Sequence, residues 1–218
     1  MAAFVLAIDQ GTTGTTVALV DEEGQLRASV NNEFPQLYPK PGWVEHRPEE
    51  IWASVLQGIR QLMDQGLCNP GDIAAIGITN QRETTALWHR ETGKPLHNAI
   101  VWQCRRTTGV CEQLQRDGAE PSVRRKTGLV LDPYFSATKF AWLLQHAPRA
   151  KTLLKQGRVL GGTIDSYLIW KLTDGAAHVT DVSNASRTSL STRSMSGTKS
   201  RTRSAGKPMT RLTTSTSS

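Results

Sequence analysis

An α/β domain is what this sequence predicts, and three observations predict it. Phe4 to Ile8 and Ile73 to Thr79 are short apolar runs of strand length. From Pro48 the pattern changes to helical, with Glu49, Glu50, Ile51, Trp52, Val55, Ile59 and Leu62 spaced three to four apart. Strand-like segments dominate early in the chain and helical ones later, which builds one layered domain.

Each element has its own signal. Phe4 to Ile8 reads as a buried strand, and Asp9-Gln10-Gly11-Thr12-Thr13-Gly14 as a turn rich in glycine and hydroxyls. Thr15 to Val20 is a β-branched second strand, Asp21 to Gly24 a turn, and Gln25 to Phe34 a third strand. Three short strands with tight turns predict an antiparallel meander, and Pro39 to Gly42 predicts a loop. Pro48 fits the first helical position, with Glu49 and Glu50 at the positive end of the dipole. Ile73 to Thr79 carries no charge, as expected of a strand inside a sheet covered on both faces. Thr84–Trp88 and Ala99–Trp102 read as short strands; Thr107–Asp117, Ser136–His146 and Ile164–Leu172 read as helices.

Composition removes several classes. The chain has 218 residues and a net charge of +7. Of its 26 basic residues, six lie in positions 189–218, which hold no acid; the remaining 188 positions carry 20 basic against 19 acidic residues. The globular part is nearly neutral, so the charge does not signal a nucleic-acid-binding domain. No apolar run approaches the roughly 20 residues of a membrane span. The first residues have no basic stretch or cleavage site of a signal peptide. Cys68, Cys104 and Cys111 are odd in number and lack a CxxC pair, which argues against a disulfide scaffold or a zinc site and for a reduced, cytoplasmic protein.

Two segments carry chemistry. In the turn after the first strand, Gly11, Thr12, Thr13 and Gly14 can offer backbone N–H groups and hydroxyls to a phosphate, since glycine lets a ligand come close. Asp9 at the strand end can hold Mg²⁺, directly or through water. The plain alternative is an ordinary hairpin turn. Further on, Arg82 and Glu83 sit where a strand runs out into a turn, the place where ligands collect in open α/β sheets. Together they offer donors and acceptors to a vicinal diol; a surface ion pair worth ~0–1 kcal/mol is the alternative. Trp102 can wall a pocket or pack in the core, and Tyr134 can present its hydroxyl or pack in its loop.

Taken together, DQGTT, YPKPGWVEH (38–46), GITNQRETT (77–85), NAIVWQCRRT (98–107), TGLVLDPYFSATK (127–139) and TDVSNASRT (180–188) resemble, in order and spacing, the glycerol kinase group of the FGGY carbohydrate kinases. The resemblance runs from about Val5 to Thr188. It implies an actin-like ATPase (ribonuclease H-like) fold of which this chain is the N-terminal domain. It also implies transfer of the γ-phosphoryl group of ATP to glycerol, with Mg²⁺, and a homo-oligomer for the full-length enzyme. Asp9 to Thr13 match the family's phosphate turn, and Arg82, Glu83, Trp102 and Tyr134 match its glycerol contacts. Thr16 stands where relatives commonly carry an arginine, which weakens the expected nucleotide contacts.

The resemblance also implies that the family's catalytic base lies beyond the end of this chain, as do the second phosphate loop and the adenine pocket. Asp165 and Asp181 do not match that base. The expectation is a fragment, residues 1–188, that is inactive alone and exposes a surface meant for a second domain. In residues 189–218, 16 of 30 positions are Ser or Thr and none is aromatic. That composition predicts a disordered tail. A slipped reading frame near Ser189 explains it, since permitted codons for Ser196–Ser200 read one frame over give Trp-Asp-Glu-Glu. Two other functions stay open: an FGGY kinase for another polyol or sugar, and a non-catalytic protein whose basic tail binds an acidic partner. The tail lacks the aromatics that single-strand nucleic-acid binding uses.

Overall fold

A computed structural model describes residues 3–188. It contains two four-stranded sheets. The first is built from β1 (Phe4–Gln10), β2 (Gly14–Val20), β3 (Leu26–Glu33) and β5 (Ile73–Asn80), in the order β3-β2-β1-β5. The second is built from β4 (Glu45–His46), β6 (Thr85–His89), β7 (Ala99–Ile100) and β8 (Val159–Thr163), in the order β4-β7-β6-β8. The meander is antiparallel as expected, with Asp9 opposite Thr16 and Gly14 opposite Glu33. β5 joins parallel to β1, placing Asp9 opposite Thr79 and Gln10 opposite Asn80.

The period of two along β1 decides what is buried. Leu6, Ile8 and Gln10 point inward, whereas Val5 and Asp9 are exposed. Val17 and Leu19 of β2 share the inner face, and helix α1 (Pro48–Met63) covers it with Ile51, Val55 and Leu62. Each such side chain contributes roughly 1.5–3 kcal/mol on burial. Helix and sheet meet closely at Gly58, where a Cβ would lie 2.5 Å from Val17 Cγ2. Pro48 occupies the first turn of α1, and Glu50 accepts from Arg47 at 2.7 Å.

The expectation of a sheet covered on both faces is corrected here. β5 is an edge strand, and Ala74, Ala75, Ile76 and Gly77 are exposed. Ile73 and Ile78 of the run pack against the core, whereas the residues between them are left open. The outer face of the sheet carries a shallow groove bordered by Ala7, Asp9, Thr16, Ala18 and Thr79.

The second half holds α2 (Thr108–Arg116), α3 (Glu120–Thr127), α4 (Ser136–His146), α5 (Ala150–Lys155), α6 (Ile164–Leu172) and α7 (Val182–Ser186). The bounds of α4 and α6 agree with the spacing in the sequence. α3, α5, α7 and β8 gave no clear periodic signal. α3 has no buried residue and stops at Gly128, whose φ of 74° suits a left-handed cap. Trp88, Leu160, Ile164, Tyr167 and Leu168 join the main core, while Leu87, Ile100, Phe140 and Leu143 form a second cluster under α4. The three cysteines are free thiols. Among the described residues no helix is long and apolar enough to cross a membrane. The 189–218 tail lies outside the described residues.

Candidate functional site

The first sheet ends in the turn that links β1 to β2. Gly11 N–H donates to Gly14 O at 2.9 Å and closes this turn. Gly11 therefore supplies space rather than a donor: a Cβ there would meet Gly14 O at 3.1 Å. Gly14 is buried against β3, where a Cβ would lie 3.0 Å from Asn32 O. Thr13 is exposed and Thr12 half-buried, and Asp9 stands exposed just before them. Thr16 is held by Asn31, whose side-chain amide donates to its hydroxyl at 2.8 Å.

The candidate polyol residues stand on three other segments, one of which reaches the same turn. Trp102 Nε1 donates to Thr12 Oγ1 at 3.0 Å, joining positions 90 residues apart. The Trp102 and Tyr134 rings meet edge to face at 5.5 Å. Both are half-buried, so neither is a fully buried core side chain. Glu83 is only 2% exposed and adopts φ 63°, a left-handed conformation rare outside glycine. Such strain persists where the surroundings over-determine it, and often at functional sites. Here Thr85 and Ser136 hydroxyls both donate to the Glu83 carbonyl, at 3.0 and 3.1 Å. Arg82 is exposed, with its guanidinium 3.5 Å from Ser183 Oγ.

Beneath these side chains runs a closed ring of hydrogen bonds that the sequence did not reveal. Gln36 Nε2 donates to Thr12 O at 2.8 Å, and His46 Nε2 donates to Gln36 Oε1 at 2.5 Å. Gln81 Nε2 donates to His46 Nδ1 at 3.2 Å, and Thr84 Oγ1 donates to Gln81 Oε1 at 2.8 Å. The backbone N–H of Trp102 donates to Thr84 Oγ1 at 3.2 Å, and its indole returns to Thr12. Gln10 is tied in as well, through Gln81 Nε2 at 3.1 Å. Fully satisfied buried networks of this kind fix geometry. The ring needs a neutral His46, and burial pushes that imidazole down to about 4. No spacing rule marks Gln36, His46, Gln81 or Thr84, because only the fold brings them together.

Lys139 is a further buried group that the sequence did not single out. It is 0% exposed and donates to the carbonyls of Pro133 at 3.0 Å, Tyr134, and Phe135 at 3.1 Å. It thereby holds the Tyr134 loop from behind. Burial pushes the ammonium down to about 7, against the pull of Glu83.

The two other aspartates have structural work. Asp165 accepts from Thr163 and from Thr180 at 2.6 Å, and burial raises its pKa. Asp181 caps α7, accepting from Ser183 N at 2.6 Å and Asn184 N at 2.9 Å. Among the described residues no group of three or more His, Cys, Asp and Glu is placed to hold a metal ion. Asp9 brings one carboxylate to the side of the turn. That donor set fits Mg²⁺ carried mainly by phosphate oxygens and water.

Residues 4–193 match the model for the FGGY family of carbohydrate kinases, N-terminal domain. The chain is 54% identical over 187 residues to a glycerol kinase of Klebsiella pneumoniae subsp. pneumoniae, a match covering 86% of this chain and 37% of that protein. It is 56% identical over 187 residues to a glycerol kinase of Carboxydothermus hydrogenoformans, with the same coverage. Among solved structures it resembles a Plasmodium falciparum glycerol kinase with ADP, with a TM-score of 0.81 and 39% identity over 87% of this chain and 38% of that one. A gluconate kinase from Lactobacillus acidophilus follows at 0.75 and 27%, covering 87% and 36%. The chain spans about 37% of the length of the curated relatives it matches.

Proposed function

The chain belongs to the FGGY family of carbohydrate kinases, and from that premise we propose that it is the N-terminal part of an ATP-dependent glycerol kinase. Residues 1–188 are its N-terminal domain, an incomplete kinase by itself. The observation that carries this reading is the hydrogen bond between Trp102 and Thr12, which sets a polyol wall beside a phosphate turn. Identity of 53–56% to glycerol kinases supports glycerol over another polyol.

Each residue has a role. Glycerol lies with its carbon backbone against Trp102 and Tyr134 and its hydroxyls on Arg82 and Glu83. The Thr12 and Thr13 hydroxyls and amides face the transferring phosphate, while Gly11 and Gly14 let the turn close tightly upon itself and against β3. Asp9 would hold Mg²⁺, directly or through water, and the ion would supply charge neutralisation at the phosphates. A glycerol hydroxyl attacks the γ-phosphorus, the bond to the β–γ bridging oxygen breaks, and ADP leaves. The hydroxyl proton passes to a base that we assign to the remaining length of the kinase; Asp165 and Asp181 are engaged elsewhere. Catalysis of this kind is positioning plus charge stabilisation, and it needs both sides of a cleft. The protein works in the cytoplasm, where ATP and glycerol meet.

The test uses the 218-residue chain and a fusion to the remaining length of a glycerol kinase relative. The chain alone is expected to bind glycerol in calorimetry without turning it over, and the fusion to phosphorylate glycerol. A fusion that prefers xylulose or gluconate would overturn glycerol as the substrate.

A further inference from the structure

One residue touches two of the four polyol contacts at once, and it comes from the last described segment. Arg187 Nε donates to Glu83 Oε1 at 2.6 Å, across 104 positions of sequence. Its guanidinium also lies over the rings of Tyr134 and Phe135, at 5.4 and 5.0 Å from their centroids. The result is a row of contacts running Trp102, Tyr134, Arg187, with the Glu83 carboxylate at its side.

The pair differs from an ordinary surface bridge. Glu83's side chain is 2% exposed and Arg187's 32%. A carboxylate this buried is costly without a partner. Glu83's backbone is already anchored by Thr85 and Ser136, so Arg187 acts on the carboxylate itself. It takes Oε1 and leaves Oε2 as the acceptor for a hydroxyl.

Arg187 is itself well placed. Asp181 caps α7, and Asn184 Nδ2 donates back to Asp181 Oδ2 at 2.6 Å. The Arg187 N–H then bonds Asn184 O at 3.1 Å, which turns the side chain towards β5 and β6. The hydrogen bond with Glu83 raises the guanidinium's pKa further, so it is charged at any working pH.

We propose that Arg187 is a positioning residue of the polyol pocket, fixing the Glu83 carboxylate and the Tyr134 ring in one arrangement. This rests on the reading of Arg82, Glu83, Trp102 and Tyr134 as the glycerol contacts. Arg187 lies outside that set, and its effect passes through Glu83 and Tyr134.

The experiment compares the full chain with Arg187→Met and Arg187→Lys. Glycerol affinity is measured by calorimetry, thermal unfolding checks the fold, and near-ultraviolet circular dichroism, taken as the difference from Trp102→Phe, reads the Trp102–Tyr134 pair. The expected result is glycerol binding weakened about tenfold or more in Arg187→Met, with partial recovery in Arg187→Lys at matched unfolding temperature. A merely structural residue would not show recovery that follows charge. Glycerol bound equally by the wild type and Arg187→Met would overturn the proposal and leave the site reading intact. If the wild type itself does not bind glycerol, the site reading fails for this chain, and the dichroism decides. A band lost in Arg187→Met and restored in Arg187→Lys supports the positioning role, and an unchanged band overturns it.

Discussion

Trp102 donates its indole N–H to the hydroxyl of Thr12 at 3.0 Å, so the proposed polyol wall is tied directly to the proposed phosphate turn. The two residues lie on different sheets' connections, and this bond sets their spacing. A Trp102→Phe and Thr12→Val double-mutant cycle should show a coupling of about 0.5–1.5 kcal/mol in unfolding free energy. Additive single effects would mean that the bond contributes nothing.

His46 makes the ring acid-sensitive. Its folded pKa, about 4, lies below the ordinary 6.5, so the unfolded state binds more protons between these values. Stability therefore rises with pH across that window and is lost as pH falls through it. The full effect is roughly 3 kcal/mol. Urea unfolding from pH 4 to 7 should show this slope, and His46→Gln should flatten it.

Lys139 has the same sign in a different window. Its folded pKa is lowered to about 7 from 10.5, so stability should increase as pH rises between those values. Lys139→Met should remove that dependence. It should also cost about 2–4 kcal/mol, because three carbonyls, two of them in buried bonds, lose their donor. Denaturant unfolding at pH 7 and pH 9 measures both effects.

Gly58→Ala sets two terms against each other. Alanine gains about 1 kcal/mol of helix propensity. Its Cβ, however, would sit 2.5 Å from Val17 Cγ2, a side chain that is 0% exposed. Overpacking of this kind costs about 1–3 kcal/mol, so the net change should be destabilising. A higher unfolding temperature in Gly58→Ala would show that α1 moves away at little cost.

Ile76 stands 40% exposed on the β5 edge strand. Uncharged apolar edges pair with other chains. Ile76→Lys should raise the concentration at which the chain begins to aggregate, measured by light scattering, with little change in unfolding temperature.

Much of this protein was legible in its sequence because local rules act over short distances. The alternation in Phe4–Ile8, the turn chemistry of Asp9–Gly14 and the proline-led start of α1 each need only neighbouring residues. The same holds for the polyol candidates, which stand in short segments whose order resembles one family. Three features required the tertiary structure. An apolar run cannot report whether a strand is central or at an edge, so Ile73–Thr79 suggested a covered strand where the fold has an open one. Gln36, His46, Gln81 and Thr84 are unremarkable polar residues until folding closes them into a ring under Trp102. Arg187 stood within a recognised segment without a role, and only the return of the chain past α7 sets its charge against Glu83. Periodicity and turn chemistry are properties of the local chain, whereas burial, edges and long-range hydrogen bonds exist only once distant segments have met.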